Sequence, residues 1–185
     1  MSKFWKRILV IVAALFVLVF AGFRYMKMQT KKHSPEETVT YYLGGADSLQ
    51  VEVTYSRPYK KGRLIFGGLV PYGKVWRTGA NEATTFMVSK DVHFGGKPVK
   101  AGTYTLWTLP EADTWTVYLN SKMYSWGVDF DGNAQRDPAF DVAAVQVPVV
   151  HDSIADEQFL IHVTDPAREL VLEWDDVKVT VPITN

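Results

Sequence analysis

Residues 170–183 read LVLEWDDVKVTVPI. Leu170, Leu172 and Trp174 fall on one face of an extended chain. Val177, Val179, Val181 and Ile183 do the same and alternate with Lys178, Thr180 and Pro182. A period of two marks a half-buried strand, and Asp175-Asp176 between the two runs marks a tight turn. Two such strands joined by a short turn must run antiparallel. Pro182 lacks a backbone N–H, so it suits a sheet edge or a strand end.

The same pattern recurs toward the N-terminus. Phe159, Ile161 and Val163 precede an Asp165-Pro166 turn. Val145, Val147 and Val149 alternate with Gln146 and Pro148, and Trp115, Val117 and Leu119 with Thr116 and Tyr118. Tyr104 and Leu106 share a face within 103–109. Residues 91–99 hold Gly95-Gly96 between short extended pieces, a hairpin signal. Residues 84–89 are β-rich, and Val51, Val53 and Tyr55 alternate with Glu52 and Thr54. Residues 122–140 are irregular and rich in Asp, Gly and Asn, and read as a long loop. No long helical period follows residue 33. Many short, cleanly alternating strands predict an all-β fold, an antiparallel β-sandwich with a jelly roll or barrel as variant.

One segment breaks the pattern. Ile8 to Phe23 is an uncharged apolar run of sixteen residues. As a helix it spans about 24 Å, and Phe4, Trp5, Tyr25 and Met26 extend it toward the ~30 Å of a hydrocarbon core. Lys3, Lys6 and Arg7 precede it; Arg24, Lys27, Lys31 and Lys32 follow. The expectation is one N-terminal transmembrane helix contacting the lipid bilayer through residues 8–23. The competing reading is a signal peptide cleaved near Ala21, but Phe20 and Phe23 crowd that site. Lys3, Lys6 and Arg7 favour a cytoplasmic N-terminus, whereas Arg24, Lys27, Lys31 and Lys32 argue the other way. The order basic residues, apolar run, domain is that of an export segment, which decides for the N-terminus inside. The expected location is therefore the inner membrane, single pass, with the domain facing the periplasm. Residues 1–27 form the anchor in this reading, 28–45 a polar linker, and 46–185 a single β domain, of a size that hides roughly two-thirds of its unfolded surface.

Net charge is zero over the whole chain, but this hides a segregation. All twenty acidic residues lie at or after Glu36, against thirteen basic ones, so the domain carries −7. Such a domain, taken as a whole, repels nucleic acid and anionic lipid surfaces. The chain has no cysteine, which excludes disulfides, thiolate metal sites and a lipidated cysteine.

Candidate chemistry concentrates between Tyr55 and Thr84. Arg57, Arg63, Lys74 and Arg77 sit there among glycines, with Trp76, Asn81 and Glu82. Gly68 and Gly73-Lys74 match the first part of a phosphate loop. Val75 stands where Ser or Thr should hold magnesium, and Pro71 removes an N–H from the cradle, so that reading fails. Asp129, Asp131 and Asn133 offer oxygen ligands, but the spacing departs from the calcium loop, whose bidentate Glu is replaced by Phe140. His93, His151 and His162 have no paired spacing, and no Gly-x-Ser-x-Gly elbow is present. No cofactor is implied. The cluster predicts a non-enzymatic binding module for a small anionic or glycan/peptide ligand, using Arg57, Trp76, Arg77, Asn81, Glu82 and Trp126. The alternative is a hydrolase with Glu82 as acid or base and Arg77 as oxyanion or substrate clamp. Each of these residues also has a structural reading: ion pairs with Glu52, Glu82 or Glu173 for the arginines, core packing for the tryptophans, and turn chemistry for Asn81-Glu82.

Residues 55–58 (YSRP), 65–84 (IFGGLVPYGKVWRTGANEAT), 101–106 (AGTYTL), 115–117 (WTV), 126–127 (WG) and 170–174 (LVLEW) resemble the DUF2911 family. The similarity covers roughly residues 50–183. It implies an exported or envelope protein, of a kind found mainly in Bacteroidetes, and brings no catalytic residue with it. Where the family often has a bulky-basic pair, this chain has Ala143-Ala144.

Overall fold

The computed structural model describes residues 2–44 and 48–184. It divides into two units, residues 1–33 and 34–185. The first is a single helix, α1 (Lys3–His33), of 31 residues. Its apolar window has a mean hydropathy of 2.5, and it is long and apolar enough to cross a membrane. Lys31, Lys32 and His33 fill its last turn, where cations complement the helix dipole. Pro35 then bars the preceding residue from helical geometry.

The second unit is a β-sandwich. Strands β1 (Glu36–Leu43), β2 (Leu49–Ser56), β3 (Thr85–Val88), β4 (Val92–Phe94), β5 (Lys97–Val99), β6 (Gly102–Pro110), β7 (Thr114–Asn120), β8 (Asp141–Pro148), β9 (Val150–Thr164) and β10 (Glu169–Thr184) follow in order. They form a six-stranded sheet, β1-β2-β3-β6-β7-β8, and a four-stranded sheet, β5-β4-β10-β9. Pairing between these strands is antiparallel throughout. The two sheets stay separate, so the sandwich holds and the barrel variant does not apply.

One expectation needs correction. Residues 28–45 were expected to be a polar linker. Instead α1 continues to His33, because its lysines and Gln29 are good helix formers, and β1 is an edge strand of the larger sheet. Val39, Tyr41 and Leu43 oppose Val53, Val51 and Leu49 across the ladder, the same period-two signal as in β2. The expected boundary at 45/46 lies outside the described residues. Residues 150–157, to which the sequence assigns no element, begin β9 although they carry no apolar alternation.

The quoted stretch behaves as its turn predicts. Ile183 donates its amide to Arg168 O at 2.7 Å. A straight strand would hold those residues roughly 50 Å apart, so β10 doubles back. It does so at Asp175, whose φ is 57°. At Gly95-Gly96 both φ angles are positive, 53° and 79°, as a two-residue hairpin between β4 and β5 requires.

The core fills the space between the sheets. One polar tie crosses it. Tyr55 of β2 is buried, and its hydroxyl accepts the amide of Ile161 on β9 at 2.9 Å. Burial raises the Tyr55 pKa to about 12, with the Ile161 hydrogen bond and Arg57 opposing and Glu37 adding to the rise.

Two outcomes follow. The Tyr55 pKa is higher in the folded chain than in the unfolded one, so this contribution to stability is complete below about pH 10 and is lost as pH rises toward 12. Urea unfolding of the full chain in detergent should therefore show an alkaline loss of about 2–3 kcal/mol from this group. Tyr55→Phe should lack that component while being less stable at neutral pH. A Cβ added to Gly95 would sit 2.3 Å from Val145 Cγ1, so Gly95→Ala should cost about 2–4 kcal/mol. Val145→Ala combined with it should cost less than the two single changes added together.

Candidate functional site

The segment from Arg57 to Thr84 begins as a plug. Ile65, Phe66 and Val70 are buried, and Trp76 stacks on Trp174 with ring centroids 6.2 Å apart and planes at 19°. Phe159 lies 5.0 Å from Trp76, and Phe66 lies 5.0 Å from Trp115. Trp76 Nε1 donates to Gly79 O at 3.1 Å. These rings close the end of the sandwich where β2 finishes and β3 begins.

Trp76 bridges to Thr108 of β6. Successive residues of an extended chain point to opposite sides, so Trp76 enters the core and Arg77 emerges on the outer face of the six-stranded sheet. There Arg77 Nη1 donates to Trp126 O at 3.0 Å, and its guanidinium lies 5.8 Å from the Trp126 ring centroid. Burial pushes the Arg77 pKa down, and the charge of Glu82 partly restores it. Glu82 Oε2 has no solvent-exposed surface. Arg77, Glu82 and Trp126 are thus brought together.

The other three expected residues are engaged elsewhere. Trp76 belongs to the interior cluster. Arg57 pairs with Glu37 at 2.7 Å and donates from Nε to Phe159 O at 3.3 Å. Asn81, at φ 58°, is buried and donates to Ser34 O at 3.1 Å. The phosphate-loop mimic has no open cradle: Gly67 N, Gly68 N and Gly73 N donate to Val70 O, Ile65 O and Pro110 O.

Sequence reasoning missed what lies beneath Trp126. Trp107 occupies an outward position on β6, yet it is fully buried. Residues 121–140 fold over it. Tyr124 meets its ring edge-on at 5.2 Å, and Tyr118 is its cross-strand partner on β7. Arg136 lies 3.9 Å over the Tyr118 ring and pairs with Asp141. Asp141 also accepts Asn120 Nδ2 at 2.8 Å. A large aromatic at a nominally wet strand position was the available signal.

The weak metal candidates have a local role. Asp129 Oδ1 accepts the amides of Asp131 and Asn133, both at 2.9 Å, and Oδ2 accepts Asn133 Nδ2 at 3.2 Å. The Asn133 amide above all holds the Asp129 carboxyl below the usual carboxylate range. Its oxygens thus cap a turn. Among the described residues, no three His, Asp or Glu side chains gather as a metal site.

Gly127 lets the covering loop approach. It has φ 79°, and an added Cβ would lie 3.2–3.3 Å from Ala83 Cβ, Arg77 Cβ and Trp107 Cη2. Gly127→Ala should therefore lift Trp126 from Arg77 and destabilise the domain by about 1–3 kcal/mol. Hydrogen exchange of the full chain should show faster exchange across 121–140 while β2 and β7 keep their protection.

No curated protein and no solved structure shows a significant match to this chain. A family model described as a protein of unknown function, DUF2911, matches residues 34–183, from the segment just after α1 to the last strand. The chain therefore belongs to the DUF2911 family.

Proposed function

We propose that this protein is a membrane-tethered, non-enzymatic binding module of the cell envelope. Its domain faces the periplasm from the inner membrane and takes a small ligand bearing a carboxylate, from a glycan or a peptide. The observation that carries this reading is the contact of the half-buried Arg77 guanidinium with the ring and carbonyl of Trp126, beside the charge of Glu82. A guanidinium presents a planar fork of N–H donors that matches a carboxylate. Partial burial strengthens charged contacts there relative to open water, and an indole face suits the apolar side of a sugar or a peptide. The hydrolase alternative finds no support of this kind, because Glu82 Oε2 is sealed from solvent.

The tether reading draws on α1, which runs through Ala21 to His33 without a break, and the orientation on the order of an export segment, with Lys3, Lys6 and Arg7 ahead of the apolar run and the domain after it. A reporter active only outside the cytoplasm, fused after residue 185, should be active. A cytoplasmic readout reverses the orientation.

Binding is tested by thermal shift on the full chain in detergent, with galacturonate and a dialanine peptide as probes and neutral galactose as control. A carboxylate probe at ten times its dissociation constant should stabilise by about 1.4 kcal/mol. Arg77→Ala and Trp126→Ala should each remove the shift. If Arg77→Ala keeps every shift, the site lies elsewhere.

A further inference from the structure

Between Val53 and Asn81 the chain holds six basic residues and no acidic one, in a domain that is acidic overall. Both ends of this segment meet the residues that follow α1 in sequence. Arg57 N donates to Pro35 O at 2.8 Å, and Asn81 Nδ2 donates to Ser34 O at 3.1 Å. The loop between them therefore springs from the pole of the sandwich at which the chain enters it.

The loop divides its apolar residues. Ile65, Phe66 and Val70 go into the core, while Leu64, Leu69 and Tyr72 are 71%, 47% and 43% exposed. The exposed three are held in place. Leu69 N donates to Leu64 O at 3.0 Å, and Val70 N to Ile65 O at 2.9 Å. Tyr72 packs over Gly67, where an added Cβ would lie 3.0 Å from its ring, and Leu64 packs beside Gly68. A fixed apolar tip that no core residue covers calls for an occupant. Lys61, Arg63 and Lys74 are exposed around it. The carboxylates beside the loop lie at its flanks: Asp175 pairs with Lys60, Glu157 Oε1 accepts the Lys61 amide, and Glu111 approaches Gly73.

The occupant follows from the length of α1. A helix of 31 residues is about 46 Å long, close to the ~40–45 Å of a bilayer with its headgroups. Such a helix, spanning, ends at the headgroup boundary, and only Ser34 and Pro35 separate His33 from β1. We propose that the tip formed by Leu64, Leu69 and Tyr72 seats in the headgroup–acyl boundary of the bilayer that holds α1, with Lys61, Arg63 and Lys74 among the lipid phosphates. This rests on the membrane-tether reading. Apolar side chains rimmed by Lys and Arg are the composition of interfacial contacts, and Tyr is favoured at that depth.

The absence of cysteine allows a direct test. Single nitroxide labels are placed at Leu15→Cys in the apolar run, at Leu69→Cys in the tip and at Ala167→Cys. Ala167 lies in the turn at the opposite pole, where its neighbour Arg168 meets Gly44. The full chain is reconstituted in vesicles of phosphatidylcholine and phosphatidylglycerol, and collision with lipid-soluble oxygen is compared with collision with a water-soluble nickel chelate. Positions 15 and 69 should favour oxygen, with nickel access at 69 at least about threefold below that at 167. Leu64→Ser with Tyr72→Ser should restore nickel access at 69. If position 15 is lipid-embedded and 69 is as open to nickel as 167, the tip stays in water: the inference falls and the tether stands. Nickel access at position 15 overturns both. Shielding of 69 from both reagents means that protein covers the tip, which also overturns the proposal.

Discussion

The rest of the domain depends on how one open end of the sandwich is closed. Two sheets packed face to face leave their interior exposed at each pole, and loops must cover it. At the pole where β2 ends, Trp76 does this by stacking on Trp174 and meeting Phe159, Phe66 and Trp115. An aromatic side chain of this size is the largest single burial available to a loop. Once Trp76 is seated, the segment around it must run extended beside β6, where its amide donates to Thr108 O at 2.7 Å and its carbonyl accepts the Thr108 amide at 3.0 Å. Pleating then leaves no choice for Arg77, which must emerge on the outer face. The position of the candidate site is therefore a consequence of core packing, fixed one residue away.

This relation explains what could and could not be read from the sequence. Most strands were legible because each buries one face, so apolar residues recur at period two. The hairpin at Gly95-Gly96 and the turn at Asp175-Asp176 were legible from residue type. β1 is less legible although Val39, Tyr41 and Leu43 alternate, because the neighbouring lysines and Pro35 give its surroundings the composition of a linker. The start of β9 carries no periodic signal at all; it is exposed, and only its ladder to β10 makes it a strand.

The candidate site was less legible, for a physical reason. Residues 55–84 are dense in Gly, Trp and Arg, and density suggested a single site. Much of that density is structural. Trp76 closes the core, Arg57 neutralises Glu37, and Asn81 ties down Ser34 in a left-handed conformation. Arg77, Glu82 and Trp126 come together only because strand parity and the fold of residues 121–140 place them so. Neither is visible until the partner strand is known. Trp107 shows the complementary case: its outward parity on β6 marks it as wet, and only the covering loop makes it buried.

Two arginines rest on aromatic rings on this outer face, and their surroundings differ in a way that bears on ligand choice. Arg136 is 10% exposed, lies on Tyr118, and pairs with Asp141, itself held by Asn120. An anion could reach it only by displacing an enclosed carboxylate, which costs more than an exchange at the surface. Arg136 therefore fastens the loop. Arg77 is bound by a carbonyl and a ring, with Glu82 acting on it through charge. A simple anion beside Arg77 must also bear the repulsion of Glu82. A ligand that carries both a carboxylate and a positive or donor group, such as a peptide or a hydroxylated sugar acid, offsets that repulsion while its carboxylate meets Arg77. The opposite charges of Arg77 and Glu82 thus argue for a bifunctional ligand over an inorganic anion.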